Sequence, residues 1–402
     1  IQFTLILILL IIYTESNSLQ RDDNKNISLI LLAAGDGEID TLRFDFRSNK
    51  FVNISKTAGA DSAGKDPNFF AMSPDKRFLF VADGILDFGG RKNTGAIYSF
   101  KVLDDGRLRR LSSSTTAGGP VSIDVSADGK KLIVACYMGA SATRHSVDEN
   151  GLFTSERPLQ TFTYHHSGPN SERQTQSYIH QAKYDPTGKL ALFTDLGGDR
   201  VYIHSVVDSQ GTLSQIAHEI VLPPGTGPRH LSIVEVQKNN YGIYLICELS
   251  NQVIYLKLSK STGGKLDSKI IQTLSTLPKE FQSLKAFGAG EIEVSKDGRF
   301  VYGSNRQTDF KRPITDNSIV MFRRDPQTGL LDGSNVKFFP IEVGGKVPGH
   351  FSLSNDKNQG FMTVGCYGAD TLLIYSRDAD DGEIRLLGST GFVRSPSVQL
   401  FL

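Results

Sequence analysis

The stretch that decides the fold runs from Ser177 to Leu249. It reads SYIHQAKYDPTGKLALFTDLGGDRVYIHSV, then a spacer, then GPRHLSIVEVQKNNYGIYLICEL, and it contains two copies of one unit. Each copy has an apolar run opened by a polar residue (His180 or Arg229), a polar turn, and a second apolar run closed by an acid (Asp195 or Glu248). Turn residues between two such runs predict a β-hairpin.

The same unit recurs along most of the chain, roughly every 55 residues, and a fixed period of this size is typical of solenoids and propellers. A third apolar run follows most hairpins, as in GAIYSFKV and NQVIYLKL, and a weaker fourth run closes the unit. Four antiparallel strands per unit make one propeller blade. Six copies align on the residue that opens the turn: Ser73, Ser126, Asp185, Val234, Ser295 and Ser354.

The two ends of the array supply a seventh blade. Residues 27–46 form an incomplete unit, and residues 387–402 offer further strand material. Because an open ring would leave a long unpaired sheet edge, we expect N-terminal and C-terminal strands to share one blade. The sequence therefore predicts an all-β fold, a single seven-bladed β-propeller of four-stranded antiparallel blades over residues 26–402.

Composition supports a turn-rich β chain and restricts its partners. The 402 residues include 39 Gly and 15 Pro, which favours many turns. The 44 basic residues balance the 43 acidic ones, so the chain lacks the basic footprint of a nucleic-acid-binding protein. Cys136, Cys247 and Cys366 lie in or just after separate apolar runs without CxxC-type spacing, which predicts three buried thiols.

The first residues differ in kind from the rest of the chain. Residues 3–12 (FTLILILLII) are almost entirely apolar and precede small polar residues, which fits a secretory signal peptide over residues 1–18. The run is too short for a comfortable transmembrane span, so no membrane contact beyond the signal peptide is expected. Asn-X-Ser sequons at Asn26 and Asn53 suit an exported chain. We therefore expect a secreted glycoprotein modified at Asn26 and Asn53.

The aligned units place their polar residues at one end of the propeller. The first strand of each blade lines the central channel, and since the first two strands are antiparallel, the start of one and the end of the next share a pole. The residues five positions before the aligned one are Asn68, Val121, His180, Arg229, Gly290 and Gly349. The second strands end at Asp83, Cys136, Asp195, Glu248 and Asn305-Arg306. Ionisable groups therefore gather around one mouth of the channel.

Four of these residues, from three successive blades, are candidate catalytic groups: His180, Arg229, Glu248 and Arg306. An imidazole or a carboxylate can activate water, and two guanidinium groups can hold an anion and stabilise an oxyanion. The same residues could instead form structural ion pairs, and the repeat argument leaves both interpretations open. Asp83 and Asp195 at strand ends more simply bind backbone N–H groups.

The other polar residues at this mouth are candidate substrate-binding groups. They are Arg229, His230, Asp195, Asn305, Glu291 and His350.

No His/Asp cluster has metal-ligand spacing, so neither a metal nor a cofactor is predicted.

Several stretches also resemble the seven-bladed lactonase family, which includes bacterial propeller-type 6-phosphogluconolactonases and fungal 3-carboxy-cis,cis-muconate lactonising enzymes. The similar segments are PNSERQTQSYIHQAKYDPTGK, TDLGGDRVYIHSV, GPRHLSI, CELSN and EIEVSKDGRFVYGSNR. The resemblance implies that the same four residues as above form the active site. Two positions depart from the family pattern: Tyr178 stands where a second histidine is common, and Gly349 stands within a usual Pro-Arg-His.

These observations lead to one main expectation and two alternatives. The main one is a secreted, metal-independent lactonase that hydrolyses an anionic sugar-acid lactone of the 6-phosphogluconolactone type. Glu248 or His180 would activate water, while Arg229 and Arg306 hold the anion. The first alternative is cyclisation of a polycarboxylate, a carboxylated cis,cis-muconate, which needs the same anion clamp and acid/base group. The second is a non-catalytic extracellular propeller that serves as a binding or surface protein.

Overall fold

The computed structural model describes residues 29–35, 37–58, 62–309, 317–341, 346–391 and 393–402. The predicted signal peptide and Asn26 lie outside the described residues. The described part is built from strands β1–β30 and two one-turn 3-10 helices, Lys279–Phe281 and Tyr367–Ala369.

Seven antiparallel sheets form the blades, each with four main strands. Blade 1 consists of β1 (Leu29–Gly35), β2 (Glu38–Asp45), β3 (Lys50–Thr57) and β30 (Val398–Phe401). Blade 2 consists of β4 (Pro67–Met72), β5 (Phe78–Asp83), β8 (Thr94–Val102) and β9 (Leu108–Ala117), with β6 (Asp87–Phe88) and β7 (Arg91–Lys92) as an inserted hairpin. Blade 3 consists of β10 (Pro120–Val125), β11 (Lys131–Cys136), β12 (Ser141–Ser146) and β13 (Gln160–Thr163).

The remaining four blades repeat this order of four strands. Blade 4 consists of β14 (Ile179–Tyr184), β15 (Leu190–Asp195), β16 (Arg200–Val206) and β17 (Leu213–Val221). Blade 5 consists of β18 (Pro228–Gln237), β19 (Asn240–Cys247), β20 (Gln252–Lys260) and β21 (Leu266–Ser275). Blade 6 consists of β22 (Phe287–Val294), β23 (Phe300–Gln307), β24 (Ser318–Arg323) and β25 (Lys337–Pro340). Blade 7 consists of β26 (Pro348–Leu353), β27 (Phe361–Cys366), β28 (Thr371–Arg377) and β29 (Ile384–Thr390).

Blade 1 closes the ring by combining strands from both ends of the chain. Its strand order is β3-β2-β1-β30, so the last strand of the chain is the innermost one, and Ala34 pairs with Val398. The predicted closure and the seven-bladed fold are confirmed. The predicted closing segment was too long, because residues 387–390 belong to β29 and complete blade 7. Only Val398–Phe401 closes the ring.

Apolar side chains fill the spaces between neighbouring blades. One cluster contains Leu192 and Ile203 of blade 4 together with Ile243 and Leu256 of blade 5, all fully buried. Because both faces of an inner sheet are covered, β15 is buried at every position. This explains why the second run of each hairpin reads as a continuous apolar stretch.

In blades 2 to 7, the inner edge of the first strand borders the channel, and no further described strand pairs with it. Side chains of the preceding blade bond its N–H groups instead, since unpaired buried N–H groups are costly. Asp124 Oδ2 accepts from the Tyr184 N–H at 2.8 Å, and Glu293 Oε2 accepts from the Leu353 N–H at 3.1 Å. Further bonds of this kind join Ser122 to Ala182, Gln181 to Leu231 and Ser232 to Val294. The channel wall is therefore cross-linked from blade to blade.

The thiols of Cys136, Cys247 and Cys366 are free and buried, as predicted. Within the described part of the chain, no helix has the length and apolar character needed to cross a membrane.

Candidate functional site

An irregularity recurs at the start of six first strands. In each, the pairing with the second strand skips one or two residues, which is the mark of a β-bulge. The skipped residues are Asn68, Val121, His180, Arg229, Gly290 with Glu291, and Gly349. These include all six residues that the sequence alignment placed at the mouth. A bulge re-aims its side chain, so it directs two consecutive residues toward the channel, such as Arg229 and His230.

A polar cavity of about 480 Å³ opens where the bulges meet. The structure brings five of the predicted site residues into its lining: His180, Arg229, His230, Arg306 and His350. The bulge residues Asn68, Val121 and Gly349 line it too, whereas Gly290, Glu291 and Glu248 are not among its described lining residues. Residues of blades 2 to 7 therefore share one solvent-connected space.

Glu248 is the centre of an ion-pair cluster at this cavity. Its Oε1 accepts from Arg173 Nη2 at 2.7 Å, and its Oε2 lies 2.8 Å from Arg306 Nη2 and 3.2 Å from Arg229 Nε. The Glu248 side chain is only 7% exposed. Since a buried carboxylate needs partners, these three cations account for its position.

The cluster fixes the charge of its own carboxylate. Burial raises the pKa of Glu248, but the charges of Arg306, Arg229 and Arg173 outweigh burial and hold this pKa well below its usual range. Both oxygens of this carboxylate are engaged by guanidinium groups. The geometry therefore suits Glu248 to holding guanidinium groups rather than to activating water.

The backbone of β22 holds the two guanidinium groups that line the cavity. Arg306 donates from Nε to the Gly288 carbonyl at 3.0 Å and from Nη2 to the Ala289 carbonyl at 2.8 Å. Arg229 Nη1 donates to the Gly290 carbonyl at 3.1 Å. Burial, and then the Arg306 charge, lower the pKa of Arg229 to about 10, so it stays cationic near pH 7.

Arg229 Nε is buried and faces the Glu248 carboxylate at 3.2 Å, an ion-pair contact without good hydrogen-bond geometry. Guanidinium groups commonly bind anions.

Three imidazole rings lie beside the guanidinium groups. His230 Nδ1 is 2.9 and 2.8 Å from Glu291 Oε1 and Oε2, and His350 Nε2 is 3.5 Å from Oε2 of the same carboxylate. The ring centroids of His180 and His230 are 5.1 Å apart. The Phe69 ring lies roughly perpendicular to the His230 and His350 rings, at centroid distances of 5.7 and 5.5 Å. The predicted residues His230, Glu291 and His350 thus form one group.

The imidazoles are neutral near pH 7. Burial, with the nearby Arg229 charge, lowers the pKa values of His180 and His230 well below their usual range. Burial lowers the pKa of His350 to about 4, although the Glu291 charge opposes this. Burial also raises the pKa of Glu291, against the charges of His350 and Arg229. Neutral imidazoles can accept a proton.

Two predicted substrate-binding residues do not fit that role. Asp195 and Asn305 are fully buried, and neither is among the described residues that line the cavity. Asp195 Oδ1 accepts from the N–H groups of Tyr178 and Gly198 at 2.8 and 2.9 Å, and Asn305 Nδ2 donates to the Thr276 carbonyl at 2.6 Å. Both side chains therefore stabilise the connections between strands and loops by hydrogen bonds to backbone groups.

The sequence analysis also offered a second interpretation for Asp83 and Asp195, namely that these acids at strand ends bind backbone N–H groups. The structure fits this interpretation for both aspartates. Asp83 Oδ1 accepts from the Asp66 N–H at 2.8 Å, just as Asp195 binds its two backbone N–H groups.

The strand pairing also corrects the alignment of Glu248. Asp83 pairs with Pro67 and Asp195 with Ile179, whereas Cys247, not Glu248, pairs with Pro228. Glu248 therefore lies one residue beyond the two aspartates. Because successive side chains of a strand point to opposite faces, this single step directs Glu248 toward the mouth.

Arg173 and Tyr367 belong to the site but were missed from the sequence. Arg173 comes from the long loop before β14, outside the repeat, and only the length of the irregular stretch 139–176 hinted at it. Tyr367 directly follows Cys366, as Glu248 follows Cys247, and it lines the cavity together with Arg306. The corrected alignment would have found Tyr367.

Asn53, the described sequon, lies on β3 with an exposed side chain. Its Nδ2 donates to Asp40 Oδ1 at 2.7 Å. Glycosylation of Asn26 and Asn53 stays a prediction. Across the described residues, no group of three or more His, Cys, Asp or Glu side chains is arranged to hold a metal ion.

The seven blades form a closed ring, and arginine and histidine side chains line the cavity at one end of its channel. These features define the chain as a β-propeller with a polar, enzyme-like cavity. The family described as "Lactonase, 7-bladed beta-propeller" matches residues 32–401, and the chain belongs to this family.

Three proteins to which this chain is similar have lactonase names. The probable 6-phosphogluconolactonase of Arthroderma benhamiae is 29% identical over 346 residues, which cover 86% of this chain and 81% of that protein. The 6-phosphogluconolactonase of Bacillus subtilis is 28% identical over 84% of this chain and 87% of its own. The structure of the periplasmic gluconolactonase of Pseudomonas aeruginosa is 28% identical, with a TM-score of 0.75 over 94% of this chain and 99% of that one.

Proposed function

We propose that this protein hydrolyses an anionic sugar-acid lactone, with 6-phosphogluconolactone as the type of substrate. The observation that carries the proposal is the pair of cationic groups, Arg229 and Arg306, held at one cavity by a single buried carboxylate, Glu248. Relatives named 6-phosphogluconolactonase support the same reaction class.

The site has the parts that lactone hydrolysis needs. Water must be deprotonated as it attacks the carbonyl carbon, and the oxygen of the tetrahedral intermediate must be stabilised. Neutral imidazoles and two guanidinium groups line the same cavity. We propose that the guanidinium groups bind the substrate anion and the developing oxyanion, while an imidazole takes the proton. Glu248 holds the guanidinium groups, and no metal takes part.

Cyclisation of a carboxylated muconate uses the same parts, and no specific observation favours it. The relatives described above carry lactonase names. A purely structural role for the ion pairs does not account for the cavity that Arg229 and Arg306 line.

We also propose that the chain is exported. The apolar run at residues 3–12 has the character of a signal peptide, and the Pseudomonas relative is described as periplasmic. Expression of the full chain in a secreting host tests this. We expect the protein in the exported fraction with its N-terminus after residue 18, and retention of an intact N-terminus inside the cell contradicts export.

A substrate panel tests the reaction. The purified chain is assayed with 6-phosphogluconolactone, uncharged gluconolactone and 3-carboxy-cis,cis-muconate, each corrected for the spontaneous rate. Glu248→Gln and Arg306→Ala are the test variants. Arg77→Ala is the matched control, because the Arg77 side chain is 60% exposed, pairs with the surface residue Asp75 and lies over the Phe78 ring, away from the cavity lining. We expect hydrolysis of the phosphorylated lactone by the wild type and the control, and loss of it in both test variants. Equal rates in all four proteins contradict the proposal.

A further inference from the structure

We propose that His230 and Glu291 form a carboxylate–imidazole dyad in which His230 Nε2 takes the proton from the attacking water. This inference rests on the proposed lactone hydrolysis and names its base. It differs from the expectation drawn from the sequence, which gave that role to His180 or Glu248.

The contacts of Glu291 fix the protonation of the His230 ring. His230 Nδ1 lies 2.9 and 2.8 Å from the two carboxylate oxygens, while Oε1 also accepts from the Ile292 N–H at 3.0 Å. The Glu291 N–H in turn donates to Ser304 Oγ at 2.9 Å. An ionised Glu291 carboxylate only accepts hydrogen bonds, so the proposal places the proton on Nδ1 and the lone pair at Nε2.

The other two imidazoles of the cavity lack this arrangement. The Nδ1 atoms of His180 and His350 are buried without a hydrogen-bond partner among the described residues. His350 approaches Glu291 only through Nε2, at 3.5 Å. Neither ring therefore has a carboxylate that fixes its Nδ1–H form and leaves Nε2 free. Of the three, His230 alone has the geometry of an oriented base.

The bulge in β18 places the base beside the anion clamp. His230 directly follows the bulged residue Arg229, and both line the cavity. Arg229 Nη1 is 3.4 Å from His230 Nε2, a long contact that a bound water or substrate can replace. Phe69 and His180 contact the His230 ring edge to face, which limits its rotation. Base and oxyanion-stabilising groups are thus adjacent.

The proposed step balances as follows. A water oxygen forms a bond to the lactone carbonyl carbon as its proton passes to His230 Nε2. Arg229 or Arg306 stabilises the oxyanion of the tetrahedral intermediate. The bond between the carbonyl carbon and the ring oxygen then breaks, and the ring oxygen takes the proton from Nε2. The product is the open hydroxy acid, which loses its acidic proton to solvent. Glu291 is a positioning residue that stabilises the imidazolium formed on the way.

Kinetics of matched variants test the role. His230→Gln is expected to lower kcat for the phosphorylated lactone by about 10²–10⁴-fold, the usual contribution of a general base, with KM changed less than about threefold. In His230→Ala, added imidazole is expected to restore part of the rate. Glu291→Gln is expected to lower kcat at least about tenfold with the same KM. His165→Gln, an exposed histidine away from the cavity lining, is the control with unchanged rate. A full rate in His230→Gln, with a large loss in His180→Gln, overturns the proposal.

A measurement without substrate separates the dyad from the lactonase activity. Nitrogen NMR of imidazole-labelled protein reports which ring nitrogen carries the proton, and the spectrum of His230→Gln identifies His230 among the eight histidines. We expect the Nδ1–H form in the wild type. A proton on Nε2 instead overturns the dyad, whatever the lactonase rate. The Nδ1–H form in a wild type that hydrolyses no lactone leaves the pairing intact but overturns both the proposed function and the catalytic role.

Discussion

Arg306 Nη2, at the end of the second strand of blade 6, lies 2.8 Å from Oε2 of Glu248, which directly follows the second strand of blade 5. The contact is an ion pair between blades, and its Arg306 lines the cavity. We therefore expect substitutions here to change both stability and substrate binding, so the first two predictions require both properties to be measured.

We expect Glu248→Gln to lower the free energy of unfolding by about 3–5 kcal/mol, because it leaves buried guanidinium groups without a counter-charge. Urea denaturation measures this. Glu38→Gln is the matched control, since its partner Lys56 is 40% exposed and such surface pairs contribute about 1 kcal/mol or less. Equal losses in the two variants would contradict a buried ion-pair cluster.

We expect Arg229→Lys to weaken binding of charged substrate selectively. Lysine keeps the charge but loses the planar set of donors that reaches the Gly290 carbonyl and the Glu248 carboxylate. KM for the phosphorylated lactone should rise at least about tenfold, and KM for uncharged gluconolactone less than about threefold. Steady-state kinetics with both lactones measure the difference, and Arg77→Lys serves as control. A uniform rise with both substrates argues against an anion clamp.

We expect stability to fall on acidification because of His350. Its pKa is lowered to about 4 by burial, whereas an unfolded histidine titrates near 6.5. Between these values the unfolded chain binds a proton that the folded chain does not, so the free energy of unfolding decreases as the pH falls. The shift corresponds to about 3 kcal/mol at most.

The measurement compares urea unfolding at pH 7 and pH 4. In His350→Gln the loss of stability between these two pH values should be smaller than in the wild type, whereas His165→Gln, at an exposed site, should leave it unchanged. An unaltered pH dependence in His350→Gln contradicts the assignment.

We expect Gly290→Ala to damage the site more than the fold. A Cβ at Gly290 would lie 2.5 Å from Ser304 Oγ and 3.2 Å from Arg306 Nε, so the guanidinium must shift. Misplacement of an oxyanion-stabilising group by about 1 Å can cost roughly 10²-fold in rate. We expect kcat/KM to fall at least about tenfold while the melting temperature changes by a few degrees. Gly360→Ala, where the nearest atom is 3.8 Å away, is the control. An unchanged kcat/KM in Gly290→Ala would show that the reaction does not depend on the position of the Arg306 guanidinium.

The repeat allowed much of the site to be predicted because it carries geometric information. Counting back from the turn in each unit reached the bulge positions, including His180 and Arg229, without knowledge of any bulge. Turn residues, apolar periodicity and the need to close a sheet edge were enough for the blade number. These are local patterns, and they survive in a single sequence.

The features of the site that could not be predicted from the sequence depend on the exact strand register and on the paths of loops. Treating Glu248 as equivalent to Asp195 missed a one-residue offset that reverses side-chain direction, and the same error hid Tyr367. Asn305 is adjacent to Arg306 but points to the opposite face, into the blade. Arg173 lies on a loop whose path follows no periodicity. Distances between such groups arise only from tertiary packing.

The mixed composition of blade 1 has a consequence for how the chain reaches its native state. Ser397 Oγ donates to the Ala34 carbonyl, 363 residues away in the chain, and β30 pairs with β1 just beyond. During synthesis, the inner edge of β1 stays without its partner until residues 398–401 have left the ribosome. Contacts of such long sequence separation slow folding, because the entropy of closing the loop is lost before the strand pairing compensates. We therefore expect ring closure to be a late step of biogenesis, and substitutions in the largely buried β30 to lower the yield of folded protein.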